Sequence, residues 1–157
     1  METGDWGADK RRIWGLEPYY DPGRAIQIHE AIKGLKIKTV IDMACGVGIV
    51  AESLAWVIPG HFTQFDIEEY PEWEFLKIKP TKADLFQFIK EDTKFDLVLM
   101  LNSYRNWDEE PRKEFNGWLK RNAKYFITSY EGENPVCDNW SVIGKDVKGH
   151  SLKLYIL

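Results

Sequence analysis

At 157 residues the chain has the length of one domain, on a scale of roughly 100–200 residues each. Hydrophobic residues make up 44% and charged residues 29%, and seven Trp, eight Phe and seven Tyr supply core material, which excludes wholesale disorder. A formal net charge of −4, from 21 Lys and Arg against 25 Asp and Glu, argues against a broad nucleic-acid footprint. No apolar run approaches the ~18 residues of a membrane span. The start, from Met1 to Trp6, has no apolar signal segment, so the expected location is the cytoplasm. Cys45 and Cys137 are then expected to be reduced thiols, and neither has a Cys or His at metal-ligand spacing.

In chain order, residues 1–20 carry Trp6, Trp14, Tyr19 and Tyr20, and are expected to form an aromatic arm that packs on the domain. Lys10-Arg11-Arg12 within it reads as a solvated basic patch. Asp21-Pro22 predicts a helix start, and Ala25, Ile28, Ile32 and Leu35 share one helical face. Residues 37–43 predict a strand buried on both faces. A glycine-rich turn follows, and then a helix presenting Val50, Leu54 and Val57. Residues 61–66 predict a second strand ending in Asp66. The stretch 67–80 reads as a shortened connection, and 81–83 as a short third strand. Asp84 leads a helix with Leu85, Phe88 and Ile89 inward.

Residues 95–101 form the clearest strand, six of the seven being apolar, and should lie at the centre of the sheet. Asp108 is expected to cap the next helix, with Glu109 and Glu110 in its first turn and Lys120 and Arg121 in its last, as the helix dipole favours. Residues 125–130 predict a fifth strand. The stretches 140–147 and 150–157 predict a hairpin turning at Lys148-Gly149. This alternation gives an α/β, doubly wound fold: a mainly parallel seven-strand sheet with an antiparallel C-terminal hairpin strand.

In such sheets ligands bind beyond the carboxyl ends of the strands. Asp42-Met43-Ala44-Cys45-Gly46-Val47-Gly48 occupies that place after the first strand. Gly46 and Gly48 let a ligand approach the backbone, and the helix that follows aims its free N–H groups there. Asp66 falls near the ~20-residue spacing at which an acidic side chain meets a ribose. Together these predict a nucleoside-containing ligand. Ala51 stands where a dinucleotide motif usually has its third glycine, a substitution that leaves NAD open. Asp42, immediately before the turn, disfavours a pyrophosphate and favours a cation such as a sulfonium.

Val40–Gly48 resembles motif I of the class I S-adenosylmethionine-dependent methyltransferases. Phe65-Asp66-Ile67, Lys82-Ala83-Asp84-Leu85 and Phe95-Asp96-Leu97-Val98-Leu99 are similar to the family's second-, third- and fourth-strand motifs. The resemblance spans nearly all of residues 21–157, and its four features occur in order. It implies S-adenosyl-L-methionine as cofactor, with Asp42, Ala44, Gly46 and Gly48 around its methionine and ribose. It further implies Asp66 on the ribose hydroxyls, Asp84 and Leu85 at the adenine, and Asn102 near the transferred methyl. The chain departs from the pattern in three ways. Ala44 replaces the first glycine, the segment between Asp66 and Asp84 is short, and the usual helix between Glu131 and Asn139 is missing.

The acceptor region is expected at 102–108. Asn102 and Tyr104 are the candidate catalytic residues there, with Arg105 for an anionic acceptor and Asp108 for an amine. Asn102-Ser103-Tyr104-Arg105 lacks the prolines of the DNA amino-methylating enzymes. Tyr19 and Tyr20 are expected to close over the acceptor as a lid. His29, His61 and His150 read as structural or remote. The reading is methyl transfer to a small molecule. An RNA or protein acceptor, or a binding module without transfer, are the alternatives.

Overall fold

The computed structural model describes residues 21–132 and 136–157. The aromatic arm, with Tyr19 and Tyr20, and the Lys10-Arg11-Arg12 stretch lie outside the described residues. The elements run α1 (Gly23–Ile32), β1 (Thr39–Met43), α2 (Ile49–Ala55), β2 (His61–Asp66), a 3-10 turn (Pro71–Phe75) and β3 (Thr81–Lys82). They continue with α3 (Leu85–Phe88), β4 (Phe95–Met100), a second 3-10 turn (Tyr104–Asn106), α4 (Glu109–Asn122), β5 (Ala123–Ser129), β6 (Trp140–Lys145) and β7 (Ser151–Ile156).

The strands form one seven-stranded sheet in the order β3-β2-β1-β4-β5-β7-β6. The first five pair in parallel, while β7 runs antiparallel to both β5 and β6. β4 is therefore the central strand, as its apolar run predicts, and Leu97, Val98, Leu99 and Met100 are wholly buried. Alternate side chains feed opposite faces. Val40, Leu97, Leu99, Ile127 and Leu152 pack against Ile28 of α1 and Leu54 of α2 on one face. Ile41, Met43, Val98, Met100, Phe126 and Tyr155 meet Phe115 and Trp118 of α4 on the other. Burying each of these large apolar side chains stabilises the fold by about 1.5–3 kcal/mol.

Three local expectations are corrected. α2 ends at Ala55 and leaves Val57 exposed, so its inward face is only Val50, Ala51 and Leu54. Asp84 does lead a helix, of four residues, in which Leu85 and Phe88 are half-buried. Asp108 occupies the N-cap position of α4, but its side chain makes no capping hydrogen bond. At the first helix the N-cap is Pro22 and not Asp21, which lies one residue earlier and accepts the N–H of Gly23 on Oδ1 at 2.8 Å.

The hairpin is present, but β7 is an inner strand and β6 is the edge. Leu152, Lys153, Leu154 and Tyr155 are all buried, so both faces of β7 are covered, and Lys153, at 4% exposure, donates its Nζ to the Gly132 carbonyl. Gln27 of α1 ties down the edge strand: its Nε2 donates to the Lys145 carbonyl and its Oε1 accepts the Lys145 N–H. Between Glu131 and Asn139 the described residues form no helix. No described helix is long and apolar enough to cross a membrane.

Candidate active site at the carboxyl ends of β1, β2 and β4

The turn after β1 is held from below. The N–H of Cys45 donates to the Phe65 carbonyl at 2.9 Å, and the N–H of Gly46 to Asp66 Oδ2 at 2.8 Å. Trp73, in the first 3-10 turn, donates its indole N–H to the Gly46 carbonyl at 2.8 Å. The short 67–80 connection thus clamps the turn to the end of β2.

Ala44, Gly46 and Gly48 all have positive φ, at 56°, 58° and 84°. The two glycines do different work. A Cβ placed on Gly46 would meet nothing within 4 Å, because it would project into open space above the turn. On Gly48 it would strike Leu76 Cδ1 at 2.6 Å and Gln64 at 3.1 Å. Gly46 therefore leaves room for a ligand, whereas Gly48 makes room for Leu76 and Gln64. The expectation that Gly48 meets the cofactor is corrected on that ground.

Two adjoining cavities open over this turn, and Ala44, Asp66, Tyr70 and Ser103 border both. The first, of about 250 Å³, lies between Gly46, Arg24, Asn102 and Arg105. The second, of about 410 Å³, lies between Ile67, Asp84, Leu85 and Phe86. Asp66 stands at their junction, and its Oδ1 also accepts the Glu68 N–H at 3.2 Å. Burial pushes the Asp66 carboxyl up, and the N–H donors of Gly46 and Glu68 draw it back. Asp84 uses Oδ1 to accept the N–H of Phe86 at 2.8 Å, which starts α3.

Asp42 lies behind the first cavity and is only 3% exposed. Burial pushes its carboxyl up to about 7, against the pull of the Arg24 guanidinium and with a further push from Asp66. Arg24, on the first turn of α1, also donates from Nη1 to Asn102 Oδ1 at 3.3 Å. The Cys45 thiol is held well above its usual range by burial and by the nearby Asp42 and Asp66. It is a neutral lining group rather than a nucleophile.

The segment after β4 divides. Asn102, Ser103, Arg105 and Asn106 line the first cavity. Tyr104 turns the other way and is wholly buried among Trp107, Phe115, Phe126 and Tyr130. Its hydroxyl donates to Asn116 Oδ1 at 2.7 Å, and burial pushes it up to about 12. The expectation of a catalytic Tyr104 is corrected, because its hydroxyl is in the core. Asp108 is exposed and lines neither cavity, so an amine acceptor does not meet it there. Trp107 packs on Tyr104 and Phe86 and borders the second cavity. Tyr19 and Tyr20, expected as a lid, fall outside the described residues.

The structure thus gathers Ala44, Gly46, Asp66, Asp84, Leu85, Asn102 and Arg105 around these two adjoining cavities. Sequence reasoning missed Arg24, Tyr70, Trp73 and Lys148. Arg24 belongs to no motif or spacing that the sequence offers. Lys148 looked like a hairpin turn residue, although the turn places it beside the first cavity. His61 begins β2 at the opposite end of the sheet, as expected. Among the described residues no group of three His, Cys, Asp or Glu could hold a metal ion.

No family model matches the chain, and no curated protein matches its sequence. Solved structures do match its fold. One is the magnesium protoporphyrin IX methyltransferase ChlM from Synechocystis PCC 6803 with bound SAM, at TM-score 0.64 and 14% identity, covering 99% of this chain and 97% of that one. Another is the bifunctional kinase-methyltransferase WbdD, at TM-score 0.62 and 14% identity over 90% of this chain. The chain spans 39% of the length of WbdD. A third is an S-adenosylmethionine-dependent methyltransferase from Clostridium acetobutylicum ATCC 824, at TM-score 0.58 and 17% identity, covering 82% of this chain and 57% of that one. With its sheet order, its clamped glycine turn and these likenesses, the chain has the class I S-adenosylmethionine-dependent methyltransferase fold.

Proposed function

We propose that this chain binds S-adenosyl-L-methionine and catalyses transfer of its methyl group to a small-molecule acceptor. The observation that carries the reading is the pair of adjoining cavities divided by Asp66, one over the open face of Gly46 and the other against Asp84 and Leu85. A ligand with a nucleoside at one end and an amino-acid chain at the other fits such a divided hollow. When bound, this cofactor supplies an electrophilic methyl group on a sulfonium centre.

In this proposal Ala44 and Gly46 hold the methionine end through their backbone. Asp66 keeps an acceptor lone pair for the ribose hydroxyls beyond its bonds to Gly46 and Glu68. Leu85 and Phe86 flank the adenine, with Asp84 beside them. Asp42 supports the cation electrostatically from behind the wall. Asn102, on the last turn out of β4, orients the acceptor. Arg24 fixes its amide by engaging Oδ1, so the NH2 group faces what lies beyond. The protein's main task is to align nucleophile and methyl and to exclude water. A base is required only where the nucleophile arrives protonated.

In this reading residues 1–157 are one S-adenosylmethionine-binding domain, with residues 1–20 as its aromatic arm. A cytoplasmic setting, in which Cys45 and Cys137 stay reduced, belongs to the same proposal. The test is transfer of tritiated methyl from labelled S-adenosylmethionine into extract fractions. Label is expected in the low-mass fraction and should survive nuclease and protease treatment. Label in nuclease-sensitive or protein material would move the acceptor to RNA or protein.

A further inference from the structure

Arg105 and Lys148 border the first cavity together with Asn102, Ser103 and Asn106. Arg105 lies with its side chain 15% exposed, and its Nη1 donates to Asp146 Oδ2 at 3.1 Å and to the Ser129 hydroxyl. Asp146, on the turn between β6 and β7, has a fully buried side chain. Its Oδ1 accepts the N–H groups of Lys148 and His150, each at 2.9 Å. One buried carboxylate therefore orients the Arg105 guanidinium and also fixes the backbone that carries Lys148. Both cations border the cavity. Asn102 lines the same cavity, but its Oδ1 is already taken by Arg24 and its backbone carbonyl by Asn106 Nδ2.

A buried Asp–Arg pair is costly to desolvate, and rarely contributes net stability over an apolar pair. Its value here is positional: a guanidinium with one edge anchored keeps its remaining N–H groups in a fixed fork, the shape that matches a carboxylate or phosphate. Lys148 supplies a mobile point charge beside it.

We propose that the acceptor of this site is a small anion, whose carboxylate or phosphate group docks on Arg105 and Lys148, with Asp146 as the positioning residue for both. This rests on the methyltransferase reading and names its substrate class. It also sets the location of charge: the anionic group sits at the β6–β7 turn, so the methylated atom lies between that group and Gly46.

The experiment uses the full chain saturated with S-adenosylhomocysteine, titrated with malonate, inorganic phosphate, uncharged malonamide and putrescine. Malonate or phosphate is expected to bind, and whichever binds tighter assigns the carboxylate or the phosphate class. Malonamide and putrescine are expected not to bind. Lys148→Glu, an exposed turn substitution that leaves folding intact, should weaken anion binding at least tenfold at unchanged affinity for S-adenosylhomocysteine. Arg105→Gln and Asp146→Asn should do the same in whatever fraction folds. Equal anion affinity in Lys148→Glu, or preferential binding of putrescine, overturns the proposal. So does a matching loss of S-adenosylhomocysteine affinity in Lys148→Glu, which would assign these cations to the methionine carboxylate. If wild-type protein fails to bind S-adenosylhomocysteine at all, the underlying methyltransferase reading falls with it.

Discussion

The turns that leave β1 and β4 stand side by side, since these strands are neighbours in the sheet. The turn after β1 is specified by backbone conformation. Residues 44, 46 and 48 need positive φ, and the open face above Gly46 is what such a turn leaves behind. The turn after β4 is specified by side-chain direction instead. Tyr104 goes into the aromatic core, while Asn102 and Arg105 on either side of it go to the cavity. At Gly46 and Gly48 that demand is written in residue type, because few residues tolerate φ near +60°, whereas Ala44 carries no such sign. The direction of a Tyr is set by a neighbour such as Asn116, twelve residues away, and no local signal carries it.

The comparison breaks most visibly at the two glycines. Both positions have positive φ, so any side chain at either brings left-handed strain and some loss of stability. Beyond that shared cost, Gly46→Val should lower the affinity of the folded protein for S-adenosylhomocysteine at least ~100-fold, about 2.8 kcal/mol, because the new side chain fills the ligand's space. Gly48→Ala adds overpacking against Leu76, about 2–4 kcal/mol of destabilisation in all, with affinity in the folded protein little changed. Thermal melts paired with calorimetry separate the two. Equal behaviour of the two variants would erase the distinction drawn between them.

Asp42 sharpens the same comparison from below the first turn. Its carboxyl is raised from the usual 3.8 to about 7, so between those values the folded chain holds a proton that the unfolded chain has lost. Stability should therefore fall as pH rises from about 4 to 7 and level off above, by an amount on the order of a few kcal/mol. Affinity for a cationic ligand should move the opposite way, rising through pH 7 as Asp42 ionises. Melts and titrations across pH 5–9 check both, and Asp42→Asn should flatten both profiles. A flat profile in the parent chain would mean that Arg24 keeps Asp42 ionised throughout.

The smallest expected effect lies in the second turn. Tyr104→Phe removes the bond to Asn116 and should cost about 1–2 kcal/mol of stability. Transfer rate, measured once an acceptor is found, should stay at the parent value. A large loss of turnover at unchanged stability would return Tyr104 to the site.

Much of the architecture is legible in the sequence. The β4 run declared itself central because a strand covered on both faces has no polar alternation, and Leu97 to Met100 have none. The same rule failed at β7. Leu152, Leu154 and Ile156 alternate with Lys153, Tyr155 and Leu157, yet Lys153 and Tyr155 are buried as well, the Lys153 ammonium lying over the Trp140 ring of β6. A lysine whose ammonium can reach the Gly132 carbonyl satisfies its charge by a contact that its neighbours in sequence do not announce. At the site, Gly46, Asp66 and Asn102 could be placed by their strand ends. Arg24, Trp73 and Lys148 could not, because α1, the 67–80 connection and the β6–β7 turn reach the hollow only through tertiary packing.

The central claim is that the hollow divided by Asp66 takes S-adenosylmethionine, and calorimetric titration with S-adenosylhomocysteine tests it most directly. The account predicts saturable one-to-one binding to the parent chain and none of NAD. In Asp66→Ala the binding should weaken by about 1.5–3 kcal/mol, the worth of a hydrogen bond to a charged group. Folded parent protein that binds NAD but not S-adenosylhomocysteine, or that binds neither, would contradict it.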